Sequence, residues 1–189
     1  IIKEKSLVVS NRQWESVEEI LRARAKQTAS FAGQQFGFHD VAPDGFGTRF
    51  SVNGLAAEYP ALWMPIIGEH QVENAATAIA AVELFLGGRP IADEILRSAM
   101  ADAVSPGRLQ VLSKEPLRVL DGAHNPAGIR SLRRAIEWHF GLESPLAVVA
   151  MLADKDISTS ARELAETFGG FIVTEVEGPR ALAAEDLAK

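Results

Sequence analysis

The sequence predicts an α/β fold in two parts, and three observations lead there. Residues 27–65 scatter Phe31, Phe36, Phe38, Phe46 and Phe50 among glycines and turn residues, the texture of a small antiparallel sheet. Beyond residue 107, strand and helix signals alternate, which implies a mostly parallel sheet with right-handed crossovers. Between the two textures Ser105-Pro106-Gly107 breaks the chain, so residues 1–105 and 106–189 are read as separate domains.

Each element has a local reason. Leu7-Val8-Val9 fits a buried strand. Ser10 and Asn11 offer an N-cap to a helix in which Trp14, Val17, Ile20, Leu21 and Ala25 recur at helical spacing. Pro43-Asp44-Gly45 makes a turn, and Asn53-Gly54 favours a two-residue hairpin. From Glu69 to Leu86, the residues Val72, Ala75, Ala76, Ile79, Ala80, Val82 and Leu86 form the broad apolar surface of a helix that Gly87-Gly88 stops. Pro90 is expected to open a further helix over about Ile91 to Ala103. In the second part, strands at Leu109–Leu112 and Arg118–Leu120 flank Lys114-Glu115-Pro116. Helices near 127–140 and 158–168 then alternate with strands near 146–151 and 171–174, and Ala181 to Lys189 reads as the start of a helix. Trp14, Trp63 and Trp138 are read as packing residues.

Composition bounds the function. The 189 residues are 47% hydrophobic, 23% charged and 7% aromatic, the balance of a folded protein. Nineteen Lys plus Arg against 25 Asp plus Glu give a net charge of −6, which argues against a nucleic-acid partner. The absence of cysteine excludes disulfide frameworks, thiolate zinc sites and cysteine nucleophiles. No run approaches the roughly 18 apolar residues of a membrane span, and no signal segment opens the chain. The expectation is a soluble, cytoplasmic protein, taken as a monomer although the sequence leaves its oligomeric state open.

Three constellations could carry chemistry. In Gly68-Glu69-His70-Gln71-Val72-Glu73-Asn74-Ala75, His70 and Asn74 are four apart and share one helix face. The Asn74 and Gln71 carboxamides suit an adenine edge, with helix capping as the plainer alternative. In Pro106-Gly107-Arg108, an arginine after a flexible Pro-Gly could swing its planar fork onto a phosphate, or be merely solvated. In Asp121-Gly122-Ala123-His124-Asn125-Pro126, Asp121 stands at the carboxyl end of a strand, where open parallel sheets bind ligands and a carboxylate accepts from ribose hydroxyls. His124 adds a titratable group to that loop, and the alternative is a capped turn. Ala153-Asp154-Lys155-Asp156 follows the next strand as either a ligand loop or a helix cap. His39 and His139 are read as non-catalytic. No Gly-x-x-x-x-Gly-Lys-[Ser/Thr] loop, no Gly-x-Gly-x-x-Gly and no Gly-x-Ser-x-Gly elbow occurs in these residues.

Together the three segments resemble the folylpolyglutamate synthase and dihydrofolate synthase branch of the Mur-type ATP-dependent amide ligases, in the family's order and at about its spacing. The Gln71 form of the first motif and the Asp-Gly-Ala-His-Asn-Pro form of the third favour this branch over the cell-wall branch. The resemblance covers the whole chain. It implies that residues 1–105 are the later part of a central ATP-binding domain of helices and a small antiparallel sheet. Residues 106–189 would then be a Rossmann-like, mostly parallel α/β glutamate-ligase domain, itself truncated. Ile1-Ile2-Lys3 resembles the segment just after the family's carbamylated lysine, and Gly178-Pro179-Arg180-Ala181-Leu182 a late segment of the carboxy-terminal domain. The implied roles are adenine contact for Asn74, organisation of the adenine side for His70, phosphate contact for Arg108, ribose contact for Asp121, and a place near the reaction centre for His124. The implied partners are ATP, L-glutamate and folate or dihydropteroate. Magnesium is implied too, with its ligands, the phosphate loop and the carbamylated lysine lying outside these residues. The implied reaction forms an acyl phosphate from a folate or pteroate carboxylate and ATP; the amine of glutamate then displaces phosphate to leave an amide. As a fragment, the chain alone would be inactive. Two other readings stay open: a non-catalytic nucleotide-binding or interaction module, and a peptidoglycan Mur ligase.

Overall fold

A computed structural model describes residues 2–189, so Ile1, which the resemblance sets after a carbamylated lysine, lies outside the described residues. The chain divides into two compact units, Ile1–Ser105 and Pro106–Lys189.

The first unit opens with β1 (Leu7–Ser10), α1 (Glu15–Arg24) and β2 (Thr28–Phe31), the two strands pairing in parallel from Leu7↔Thr28 to Ser10↔Phe31. Parallel partners need a crossover rather than a hairpin, and α1 supplies it. β2 therefore belongs with β1 and not with the antiparallel sheet expected over residues 27–65. The expected cap at Ser10 or Asn11 is also not formed. Ser10 ends β1, Trp14 occupies the N-cap position with no side-chain cap, and the Asn11 amide is spent on a distant helix instead. Glu15 and Glu18 in the first turn and Arg22 and Arg24 in the last suit the helix dipole. Trp14 is 83% exposed, so it is not a packing residue within these residues.

β3 (Gly37–Asp44), β4 (Gly47–Asn53) and β5 (Glu58–Met64) form the antiparallel sheet. Asp44 pairs with Gly47, so Gly45-Phe46 is the two-residue turn, with Gly45 at φ 62° where a side chain would be strained. The second hairpin differs from expectation. Asn53 pairs with Glu58, and the connection is the longer loop 54–57, closed by Gly54 N–H donating to the Ala57 carbonyl at 2.8 Å.

The sheet packs on α2 (Glu69–Phe85) and α3 (Asp93–Ala101). Phe36, Phe50, Val52, Tyr59, Leu62 and Met64 meet Val72, Ala76, Ile79 and Ala80 of α2 and Leu96 of α3 in one core. The buried stripe of α2 runs through Val72, Ala76, Ile79, Ala80 and Glu83, a 3.6-residue phase that turns Val82 outward to 43% exposure, against expectation. Gly87 and Gly88, at φ 75° and 79°, end α2, with Gly88 N–H donating to the Glu83 carbonyl at 2.9 Å. Pro90 precedes α3 rather than opening it: Ala92 holds an extended N-cap conformation and α3 starts at Asp93, while Ile91 N–H donates to the Tyr59 hydroxyl at 2.8 Å.

Among the described residues Glu83 is the one buried charged side chain, fully enclosed. Its Oε2 accepts from Leu55 N at 2.5 Å, and its Oε1 accepts from Ala57 N at 3.2 Å and from the Tyr59 hydroxyl at 2.8 Å. This carboxylate dictates the longer hairpin loop. A Cβ on Gly54 would stand 2.6 Å from Oε2, so only glycine lets the loop come this close.

The second unit begins with β6 (Gln110–Lys114) and β7 (Leu117–Leu120), paired antiparallel through the turn at Glu115-Pro116. α4 (Pro126–Ala135) continues into a π-helical turn, Ile136–Phe140, that stops at Gly141 with φ 62°. β8 (Leu146–Val149), α5 (Ile157–Thr167) and β9 (Gly170–Val173) complete a β-α-β unit whose strands pair in parallel, before the short α6 (Ala184–Leu187). Among the described residues of the second unit the parallel ladder is thus β8–β9. β7 takes its neighbour β6, since closing a short hairpin costs less chain entropy than a long crossover. The architecture is α/β throughout, with a fully buried Ile129 of α4 and Ala147 of β8 inside the second unit.

Candidate functional site

Two polar clusters stand where the sequence places its candidates, one in each unit. In the first, α2 starts at Glu69 after Gly68, whose φ of 110° directs the chain into the helix. His70 and Asn74 lie exposed on the first two turns of α2 and are joined through Gln71. Gln71 Nε2 donates to His70 Nε2 at 3.2 Å, and Asn74 Nδ2 donates to Gln71 Oε1 at 3.3 Å. A residue that sequence reasoning missed extends this chain. Asn11, just past the carboxyl end of β1, donates from Nδ2 to Asn74 Oδ1 at 3.3 Å, and the Thr77 hydroxyl donates to Asn11 Oδ1. The signal was available, because the strand-end argument applied to Asp121 applies equally to Asn11.

The second cluster lies in the Pro106–Leu109 and Asp121–Pro126 loops. Asp121 follows the last residue of β7, and its two carboxylate oxygens take different backbone donors. Oδ2 accepts from Leu109 N at 2.8 Å and Oδ1 from Ala123 N at 2.8 Å. Gly122 N–H donates to the Gly107 carbonyl at 2.7 Å, and Gly107 N–H donates to Gln110 Oε1 at 3.0 Å. Arg108 is therefore not a free arm on a flexible Pro-Gly, as its sequence suggested; the loop that carries it is fastened on both sides. Leu109 holds φ 45°, a left-handed conformation rare for leucine, with its side chain buried and its N–H fixed by Asp121. A Cβ on Gly122 would lie 3.3 Å from the Gly107 carbonyl and 3.9 Å from Arg108 Nη1, which puts the guanidinium beside the Asp121 loop.

His124 Nδ1 lies 2.9 Å from the Gly122 carbonyl. A carbonyl only accepts, so Nδ1 carries the proton and Nε2 is the acceptor in the neutral ring. Asn125 caps α4 by accepting from Gly128 N at 2.8 Å, with Pro126 in the first turn. Arg108, Asp121 and His124 are thus brought together in one unit, His70 and Asn74 in the other. Each Asp121 oxygen keeps lone-pair capacity beyond its one backbone donor, and Arg108 keeps an exposed fork.

The remaining candidates resolve into local structure. Asp156 caps α5 through Thr159 N at 3.1 Å, and Asp154 pairs with Arg180 at 3.5 Å. His39 Nδ1 meets Asp40 at 2.9 Å, while His139 sits edge-on to Trp138 and Phe140. Among the described residues no three His, Asp or Glu side chains could hold a metal ion. No described helix is long and apolar enough to cross a membrane.

The chain is similar to known proteins. The family model of the Mur ligase glutamate ligase domain matches residues 107–189. The dihydrofolate synthase/folylpolyglutamate synthase of Mycobacterium tuberculosis is 33% identical over 191 residues, covering 97% of this chain and 39% of its own length. The folylpolyglutamate synthase of Lacticaseibacillus casei is 35% identical over 142 residues, covering 73% of this chain and 33% of its own. The solved structure of Mycobacterium tuberculosis folylpolyglutamate synthase complexed with ADP superposes with a TM-score of 0.87 at 32% identity, over 94% of this chain and 40% of that one. The chain spans between a third and two fifths of the length of these relatives. On this likeness along nearly its whole length, the chain belongs to the folylpolyglutamate synthase/dihydrofolate synthase family of Mur ligases.

Proposed function

We propose that this chain contributes nucleotide-binding and phosphate-handling residues to an ATP-dependent ligase that adds L-glutamate to a folate or dihydropteroate carboxylate. In that reaction the carboxylate attacks the terminal phosphorus of ATP, ADP leaves, and an acyl phosphate forms. The amine of glutamate then attacks the acyl carbon, the amide bond forms and phosphate leaves. Asn74 offers adenine a carboxamide whose donor and acceptor are both oriented, with His70 and Gln71 completing that polar run. Asp121 accepts from ribose hydroxyls with the lone pairs its backbone donors leave over. Arg108 presents two N–H groups to phosphate oxygens and counters charge as the phosphoryl group transfers. His124, with Nε2 as its acceptor, stands in the same loop for a proton or a hydrogen bond near the reacting groups. Magnesium, when bound, would draw charge from the phosphate oxygens; its ligands are expected outside this chain.

The observation that carries this reading is the fastening of the Arg108 and Asp121 loops by Asp121 itself, which holds a cation, a carboxylate and an imidazole in one place. Arg108→Ala is the test, since the exposed side chain is removed without disturbing the loop. In the full gene product, ATP-dependent glutamate addition to dihydropteroate or tetrahydrofolate should fall about a hundredfold, the scale seen when one transition-state donor is lost. Unchanged turnover with both acceptors would refute the role.

A further inference from the structure

The polar run at the start of α2 has a direction. The Thr77 hydroxyl, shared with the Glu73 carbonyl at 2.9 Å, donates to Asn11, Asn11 to Asn74, Asn74 to Gln71 and Gln71 to His70, so every amide gives from nitrogen and takes at oxygen. A carboxamide turned by half a revolution exchanges donor and acceptor with almost no change in shape. Whatever sets that rotation decides which purine edge the group can read. Adenine presents an amino donor beside a ring-nitrogen acceptor, and guanine a carbonyl acceptor beside the same ring nitrogen. An Asn74 held in one rotation matches adenine and meets guanine with two acceptors at its oxygen and nitrogen, one of them wrong.

His70, Gln71, Asn74 and Thr77 all belong to α2, and helical spacing alone makes them neighbours. Asn11 is the member that comes from elsewhere, half-buried past the end of β1 and held at its own oxygen by Thr77. We propose that Asn11 is a positioning residue that fixes the rotation of the Asn74 carboxamide and thereby sets the preference for adenine over guanine nucleotides. The proposal rests on the reading of α2 as the adenine side.

Asn11→Asp is the sharpest test. The shape is kept, but a carboxylate only accepts, so Asn74 must turn its amino group toward position 11 and its oxygen toward Gln71. In the full gene product the KM for ATP should rise about tenfold with kcat within about twofold, and the ATP-to-GTP ratio of kcat/KM should fall about tenfold or more, the scale of one misread base contact. Thr77→Val, which frees the Asn11 oxygen, should reproduce part of that loss of ratio, and Asn11→Gln, which can still donate, should restore part of it. Should Asn11→Asp fail to fold by circular dichroism, Thr77→Val and Asn11→Ala read the same ratio. Asn74→Ala separates the two levels of the argument. If it leaves the KM for ATP unchanged, the adenine reading of α2 is overturned, and the proposal with it. If Asn74→Ala raises that KM while the Asn11 and Thr77 variants keep the wild-type ratio, the positioning role alone is overturned. An equal loss with both nucleotides also overturns it, since that is the mark of a merely structural residue.

Discussion

Replacing Asp121 by alanine removes both acceptors that hold the Arg108 loop against the Asp121–Pro126 loop. The two bonds are 2.8 Å each and run from backbone N–H groups to a carboxylate. Such charge-assisted bonds contribute about 1.5–3 kcal/mol apiece when dry. Asp121 is half-buried, so water replaces much of what is lost, and about 1–1.5 kcal/mol per bond remains. The expected cost is therefore about 2–3 kcal/mol, concentrated in the two loops because Gly122 N–H still reaches the Gly107 carbonyl. Native-state hydrogen exchange reads this directly. The amides of Leu109 and Ala123 should exchange about tenfold faster for each 1.4 kcal/mol lost, while those of β8 and β9 keep their rates. Asp121→Asn retains one acceptor and turns an amino group toward the other N–H, so one of the two amides should stay protected. Wild-type exchange at both Leu109 and Ala123 in the alanine variant would refute the clamp.

Further consequences follow from the same bonds. Glu83→Ala strands Leu55 N, Ala57 N and the Tyr59 hydroxyl together and should cost about 3–5 kcal/mol in urea unfolding, whereas a surface change such as Glu94→Ala should cost under about 0.5 kcal/mol. Burial above all, and then the neighbouring Glu83, hold the Tyr59 phenol above its ordinary pKa of 10.0. Its contribution to stability is complete below that value and is lost as pH rises through the higher folded-state pKa, so thermal melts above about pH 10 should fall less steeply in Tyr59→Phe. Asn125→Ala removes the α4 cap and should cost about 1 kcal/mol by denaturant midpoint, with Asn125→Asp near neutral. Gly47→Ala would set a Cβ 2.4 Å from the Met64 carbonyl and should abolish cooperative folding of the first unit, read by circular dichroism.

What was legible in the sequence is what local chemistry decides. The proline that opens α4, the glycines that stop α2 and the strand-end place of Asp121 each depend on residues a few positions away. The readings that failed were overridden from a distance. Asn53-Gly54 would turn tightly by itself, but Glu83, almost thirty positions on, draws the loop open through Leu55 and Ala57. Asn11 would cap α1, but Asn74 and Thr77 engage its amide. Glu83 itself escaped notice because a carboxylate within an apolar stripe declares its role only once its three donors are in place. In the candidate site, the residue types of Arg108, Asp121 and His124 were readable, and the hydrogen bonds that make them one piece were not.

The fastening of Gly107 changes what Arg108 is in mechanical terms. With its N–H on Gln110 and its carbonyl under Gly122, Gly107 belongs to the body that follows it, and so does the guanidinium one residue on. The torsions left outside the clamp are those of Val104, Ser105 and Pro106, ahead of the arginine. Arg108 is thus anchored at its backbone within the second unit, and its guanidinium is repositioned only by the torsions of its own side chain.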